Sequence, residues 1–243
     1  MRLTRVYVDA ALEPGTFVEL SGTAAGHLTH VLRLRAGAQL TLFNGRGGEY
    51  SASIERVHRS AVTLAVGAHQ AIERESPFTL TLAQGISRGE RMDLVVQKAT
   101  ELGVSRLVPL ATERSVVRLD EEQSDRKSNH WRAIAIAACE QCGRNRLPEV
   151  ALPAQLREFL RQPPGESARL LLSPAATRRI EDVPRPASGV TVLIGPEGGL
   201  SAEEQADAHA AGFTAVNLGP RVLRTETAAI AALTLLQRQF GDL

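Results

Sequence analysis

Two hydrophobic periods divide this chain. Between residues 16 and 66 apolar and polar positions alternate in short runs, at 16–20, 39–43, 49–57 and 61–66. A period of two sends successive side chains to opposite faces, as in a half-buried strand. Asn44-Gly45 separates the second run from the third, and both residues tolerate the positive φ of a tight hairpin turn. This part predicts a small β-barrel. After Pro77 the strand candidates at 79–84, 106–110, 169–172, 190–194 and 215–218 are more continuously apolar and alternate with helical patterns. That rhythm predicts a parallel sheet covered by helices on both faces, and the break between the two parts falls at residues 70–77.

The helical segments carry their own signals. Met92, Val95, Val96, Ala99 and Leu102 recur at helical spacing, and Gly103 is placed to stop that helix. Ser201-Ala202-Glu203-Glu204 matches a capping box, in which hydroxyl and carboxylate each satisfy an orphan amide of the first turn. Gly212 is placed to end the helix that follows. A final helix is predicted from about residue 227 to 240, with Ile230, Leu233, Leu236 and Phe240 on one stripe.

Two unusual loops lie close together near the carboxyl end. One is Gly195-Pro196-Glu197-Gly198-Gly199, directly after the apolar run at 190–194. The other runs Leu218-Gly219-Pro220-Arg221-Val222-Leu223-Arg224-Thr225-Glu226-Thr227-Ala228. Each leaves a strand and enters a helix, so both belong at the carboxyl edge of the sheet, where open α/β folds bind ligands. No G-x-G-x-x-G or G-x-x-x-x-G-K-[ST] occurs, which removes the main support for dinucleotide and P-loop readings. What remains is a glycine-lined pocket of backbone amides and carbonyls, suited to an adenosine-type ligand.

Composition narrows the field less. With 243 residues and 43% hydrophobic content the chain can build one or two domains with real cores. No signal-peptide pattern or apolar run of about eighteen residues is visible, and two cysteines cannot form a disulfide framework, so a cytoplasmic protein without membrane or metal is expected. The net charge of +1 gives no global field for nucleic acid, so any contact with nucleic acid would have to come from local arginine clusters. Twenty-six of the 28 basic residues are arginine, a skew that a GC-rich genome also produces. Cys139-Glu140-Gln141-Cys142 falls late in a helical pattern and reads as two small buried thiols, and His27 as a packed or hydrogen-bonded residue.

The two loops resemble the signature of the bacterial 16S ribosomal RNA uridine-N3 methyltransferases of the SPOUT superfamily. The likeness extends through His27-Leu28 with Val31-Leu32-Arg33, Asn44-Gly45-Arg46-Gly47-Gly48-Glu49-Tyr50 and Gln97-Lys98-Ala99-Thr100-Glu101-Leu102-Gly103-Val104. Pro109 with Thr112-Glu113-Arg114-Ser115, and Glu140-Gln141-Cys142-Gly143-Arg144, complete it. Val222 and Leu200 depart from the usual isoleucine and aromatic but stay apolar.

The resemblance implies an RNA-binding, PUA-like β-barrel at 1–72 and, at 73–243, an α/β SPOUT domain whose parallel sheet is threaded into a trefoil knot. It implies that S-adenosylmethionine is held by Leu172, Gly195, Pro196, Glu197, Gly198, Gly199, Leu218, Gly219, Leu223, Arg224, Thr225, Glu226, Thr227 and Ala228. By the same likeness Arg2, Arg33, Arg35, Arg114 and Arg144 are the RNA-contact candidates, 16S rRNA in the 30S subunit is the partner, the target is uridine 1498, and the working unit is a homodimer. Methyl transfer is an in-line displacement that depends on alignment, and uracil N3 must lose a proton before it is a useful nucleophile. Glu197 and Glu226 are therefore candidate catalytic carboxylates, and Arg224 a candidate stabiliser of uracilate charge. The structural alternative is that Glu226 sits near the positive end of the last helix and Glu197 bonds loop amides. Two further classes stay open at this point: a non-catalytic rRNA-binding assembly factor and a nucleotide-dependent redox enzyme.

Overall fold

The computed structural model describes residues 4–115, 120–163 and 165–243. Cα packing divides the chain into two compact units, residues 1–75 with 139–147, and residues 76–138 with 148–243.

The first unit contains β1 (Arg5–Tyr7), β2 (Phe17–Ser21), α1 (Gly22–Gly26), β3 (Gln39–Phe43), β4 (Glu49–Val57) and β5 (Ala61–Gln70). They form a five-stranded sheet in the order β1-β3-β4-β5-β2, antiparallel except for β1 beside β3. The alternation at the sequence level becomes a one-sided core: Leu40, Leu42, Ile54, Val62 and Leu64 are fully buried while their neighbours along each strand are more exposed. A π-helical turn at His27–Val31 continues α1 and buries Leu28. Of the two readings of His27, packed or hydrogen-bonded, packing does not hold: the residue is exposed, because the turn puts Leu28 and not His27 against the core.

This unit is closed by charge as well as by apolar packing. Arg5 reaches Glu49 at 2.5 Å and Asn145 at 2.5 Å, and Asn145 also donates to the Ile72 carbonyl at 2.6 Å. Arg74 adds a second guanidinium to Glu49 at 3.0 Å. Burial raises the Glu49 carboxyl pKa, but hydrogen bonds from Arg74, Arg5 and Asn145 outweigh it and hold the group below the usual carboxylate range.

The second unit runs β6 (Leu80–Gly85), α2 (Glu90–Glu101), β7 (Arg106–Ala111), α3 (Glu121–Cys142), β8 (Glu149–Val150), β9 (Ala154–Gln155), α4 (Leu156–Arg161), β10 (Ala168–Leu172), β11 (Val190–Ile194), α5 (Ala202–Ala210), β12 (Thr214–Val216) and α6 (Thr225–Phe240), the residues of α3 from 139 on grouping with the first unit. The sheet is parallel in the order β12-β10-β11-β6-β7-β8, with β9 also pairing β7. Its strands bury both faces. Leu82, Leu107, Leu170 and Val192 pack into a core with α2 and α6, whereas the adjacent Ala83, Val108, Leu171 and Leu193 pack into a second core with α4 and α5. That is why these strands read as continuous apolar runs. Trp131 on α3 is 2% exposed within the first of these cores.

Several element boundaries differ from expectation by one to four residues, and two of them have a visible local cause. The last strand stops at Val216, because Asn217 turns its side chain onto the Ala176 carbonyl and accepts the Gly219 amide. The final helix starts at Thr225 because Arg224 is still extended (φ −62°, ψ 152°) and serves as its N-cap residue.

Candidate functional site

The carboxyl ends of β10, β11 and β12 open onto a cavity of about 640 Å³. The run 195–199 forms one wall, where a turn closed by the Gly199 amide on the Pro196 carbonyl (2.8 Å) follows β11 at once. Behind it Gly85 ends β6, and a Cβ there would lie 2.5 Å from Pro196. A side chain at that point would push the loop out of place, so the absence of one lets β6 support the cavity wall directly.

Gln84 and Thr225 tie the two loops together. The Thr225 hydroxyl donates to the Gly195 carbonyl at 2.7 Å. The wholly buried Gln84 amide nitrogen donates to Thr225 Oγ1 at 2.9 Å and to the Gly85 carbonyl at 3.0 Å. The first turn of α6 is thereby fixed against the end of β11. On the far side of the loop the expected capping box forms: Glu204 takes the Ser201 amide at 2.9 Å and Ser201 Oγ takes the Glu204 amide at 3.3 Å. The other Glu204 oxygen accepts the Glu113 amide at 2.7 Å, which brings the 112–115 turn to the cavity rim. Arg114 there donates to the Gly198 carbonyl at 3.0 Å.

The carboxylates of the site differ in kind. Glu197 accepts from the Arg91 guanidinium at 2.9 Å and from the Arg88 amide at 3.1 Å. Its partial burial raises the pKa, but its own amide, Arg91 and the Arg88 amide more than offset this, and the group lies below the usual carboxylate range. A carboxylate held in its ionised form by fixed donors is a poor proton acceptor. Glu226 is the opposite case. It is half-buried on the first turn of α6, and its Oε2 is buried with no hydrogen-bond partner among the described residues. A buried acceptor left unpaired costs stability unless something else meets it. Arg224 beside it is exposed.

Every residue expected to hold the cofactor lines this cavity except Thr227, which points outward from α6 and is exposed. The cavity also takes in Arg91, Ser173, Pro174, Gln205, Asn217, Arg221 and Val222. Gln84 leaves one visible sign in the sequence, a long polar side chain near the end of a largely apolar strand.

The RNA-contact candidates separate. Arg33 and Arg35 are in the first unit, Arg33 exposed with φ +54°, the one non-glycine positive φ among the described residues. Arg114 lies at the cavity rim, and Arg2 is outside the described residues. Arg144 is 4% exposed and its guanidinium forms an ion pair with Glu75 at 2.6 Å, so the interior of the first unit takes up the charge that was expected to face RNA. Cys139 is buried and Cys142 half-buried. The hydrogen bond to Cys142 and burial both push the Cys139 thiol pKa up, which makes it inert. Among the described residues no His, Cys, Asp and Glu cluster is arranged to hold a metal ion, and no helix is long and apolar enough to cross a membrane.

Comparison with known proteins also finds two matched regions, the second of which takes in residues 139–147 although these pack in the first unit. The RNA methyltransferase domain family matches residues 74–237 and the RNA methyltransferase PUA domain family matches 20–66. Ribosomal RNA small subunit methyltransferase E of Buchnera aphidicola subsp. Schizaphis graminum is 34% identical, over 100% of this chain and 98% of its own. The protein of that name from Bacillus subtilis is 29% identical, over 98% and 95%. Among solved structures, a Legionella pneumophila chain in complex with the bound cofactor SAM superposes with a TM-score of 0.96 at 47% identity, with full coverage of both chains. Ribosomal RNA small subunit methyltransferase E from Neisseria gonorrhoeae, bound to S-adenosyl methionine, gives 0.92 at 36%, again with full coverage. With a PUA domain match, an RNA methyltransferase domain match and relatives alike from end to end, the chain belongs to the ribosomal RNA small subunit methyltransferase E family of RNA methyltransferases.

Proposed function

We propose that this protein transfers the methyl group of S-adenosylmethionine to N3 of a uridine in small-subunit ribosomal RNA, uridine 1498 in the family it belongs to. The observation that carries the chemistry is the unpaired, buried Glu226 oxygen beside a glycine-lined cavity at the carboxyl edge of the sheet.

The cavity suits the cofactor. Its walls expose the backbone of 195–199 and 218–228, apolar Leu172, Leu218 and Leu223 offer a slot for an adenine ring, and Gly195, Gly198 and Gly199 leave room where side chains would fill it. When bound, S-adenosylmethionine supplies an electrophilic methyl on a sulfonium. The chain's own residues do the rest. Gln84 and Thr225 hold the two loops in register, so the nucleophile can be aligned without reorganisation at the moment of reaction. Glu226 takes the N3 proton as the N3–CH₃ bond forms and the S–CH₃ bond breaks. Arg224 offers a fixed positive charge to the uracilate that develops. The base must be unpaired to reach the site, since N3 lies inside a base pair in a duplex. Arg33, Arg35 and Arg114 are the arginines we assign to RNA, with the small ribosomal subunit as substrate in the cytoplasm and a homodimer as the working form.

The test is methyl transfer from labelled S-adenosylmethionine to small-subunit RNA, naked and in the subunit, followed by nucleoside mass mapping. 3-Methyluridine at one position is the expected product, and a label on C5, on the ribose or on another base would refute the assignment. Glu226→Gln, nearly isosteric, should lower the single-turnover rate by about 10²- to 10⁴-fold, the usual worth of a positioned base. An unchanged rate would remove Glu226 from the proton transfer.

A further inference from the structure

The second unit has another concavity, at the opposite edge of the same sheet. It measures about 660 Å³ and lies where the amino ends of β10 and β12 meet the end of α4 and the 183–186 segment. Four arginines line it, Arg161, Arg169, Arg178 and Arg185, and no aspartate or glutamate does. β10 runs between the two cavities, with Ala168, Arg169 and Leu170 lining this one and Leu171 and Leu172 lining the other.

Among the described residues of this unit some arginines have a carboxylate partner and others, Arg114 and Arg224 among them, have none. Arg91, Arg106, Arg157 and Arg179 are each paired with a carboxylate. Among the described residues none of the four pocket arginines forms an ion pair. Two of them are held by neutral groups that orient the charge without cancelling it. Arg169 donates to the Ala211 carbonyl at 3.0 Å and the Gln162 carbonyl at 3.2 Å, and lies 5.4 Å from the Phe213 ring centre. Arg178 donates to the Asp182 carbonyl at 3.1 Å. Arg161 and Arg185 are exposed at the rim, Arg185 lying 5.8 Å from the Phe78 ring centre. The nearby acids are engaged elsewhere or outside the lining. Glu181 pairs with Arg179, the Asp182 carboxylate accepts the Arg179 amide, and Glu166 is exposed beyond the wall.

Four like charges in one concavity repel one another and gather counterions. A polyanion that displaces those counterions gains their release entropy. With a net charge of +1 the molecule has no general excess to explain such a cluster. Planar guanidinium groups fixed by carbonyls and an aromatic face, with exposed ones at the rim, fit phosphate oxygens presented by a backbone. We infer that this pocket binds phosphodiester groups of the substrate RNA at a point remote from the methylated nucleotide. The inference rests on the RNA methyltransferase reading above. It makes the second unit an RNA-binding surface in its own right, engaging the substrate at both ends of one strand.

The test uses the full chain and the double variant Arg161→Gln/Arg185→Gln, which leaves the two carbonyl-bound arginines in place. Binding of protein-free small-subunit rRNA is measured across a salt series, together with S-adenosylmethionine affinity and steady-state methylation. The slope of log K against log salt should become shallower by about 1.4 to 1.8, the value for two lost phosphate contacts. KM for RNA should rise while kcat and cofactor affinity stay unchanged, and Arg161→Lys/Arg185→Lys should restore the slope because charge alone sets it. An unchanged slope in a protein that methylates rRNA normally overturns the inference. So does wild-type protein that binds no RNA, or loss of inorganic phosphate binding at fixed ionic strength with the RNA slope intact, which would make this a small-anion site. A wild-type chain that transfers no methyl but still shows the arginine-dependent slope would defeat the proposed activity and leave the pocket standing.

Discussion

Thr225→Val is the sharpest test of how the site is held together. Valine matches threonine in shape but lacks the hydroxyl, so it removes the 2.7 Å bond to the Gly195 carbonyl and the acceptor 2.9 Å from Gln84 Nε2. Gln84 keeps the Gly85 carbonyl at 3.0 Å and a longer contact to the Gly195 carbonyl at 3.3 Å, so it is not fully orphaned. One neutral bond lost, with partial loss of a second at a site that is 7% exposed, amounts to about 1–3 kcal/mol. Trp131 is the single tryptophan and is buried in the core of the second unit, so its fluorescence in a urea titration follows that unit alone. The midpoint should fall by an amount equivalent to that energy. If the bond also keeps the 195–199 wall in its binding position, calorimetry should show S-adenosylmethionine bound roughly 5- to 140-fold more weakly, since about 1.4 kcal/mol is a factor of ten. Thr225→Ser keeps the hydroxyl and should bind the cofactor normally. A valine variant with stability within about 0.5 kcal/mol and unchanged affinity would show that the bridge between β6, β11 and α6 plays no part in shaping the cavity.

Other substitutions probe separate parts. Gly198→Val places a branched side chain where even a Cβ would lie 3.1 Å from Arg114 Cβ, so it should break the Arg114 bond to the Gly198 carbonyl and weaken cofactor binding at least tenfold by calorimetry, with the circular dichroism spectrum unchanged. Arg224→Ala should lower the single-turnover methylation rate more than cofactor affinity, and Arg224→Lys should recover part of it, since lysine restores the charge but not the planar fork. Glu49 has a folded pKa below its unfolded value, so its contribution to the first unit is complete above about pH 4.3 and is lost as pH falls through the folded value. Glu49→Gln should flatten the acid limb of the first unit's unfolding profile, monitored by hydrogen exchange of β4, and an unchanged limb would reassign the acid sensitivity elsewhere.

The strands and the change of period near residues 70–77 are readable in the sequence because each leaves a local mark, whereas the return of residues 139–147 to the first unit leaves none. Val192, Leu193 and Ile194 sit together in a run of β-propensity, and glycine and proline occupy four of the next five positions. What escaped depends on partners far away along the chain. Arg91 is 106 residues from Glu197, and only their proximity shows that this glutamate is clamped by a guanidinium. Gln84 lies 141 residues before Thr225, so a polar strand end had no visible purpose until the two met. Arg144 was misplaced for the same reason, because Glu75, 69 residues earlier, draws it inward. Helix and strand ends moved by a residue or two where a side chain such as Asn217 competed for backbone groups.

The discontinuous first unit has a consequence for biosynthesis. Arg5, Glu49 and Arg74 are made early, but Asn145, which joins Arg5 and Glu49 and reaches the Ile72 carbonyl, is made late. At about 5–20 residues per second, the stretch between residues 75 and 145 takes roughly 4–14 s to synthesise. During that interval the nascent N-terminal unit holds a buried guanidinium and carboxylate whose network is incomplete. Its final closure must wait for the arrival of a segment that follows a 22-residue helix. A fragment ending near residue 75 would stay permanently in that waiting state, so the N-terminal unit matures with the chain and not ahead of it.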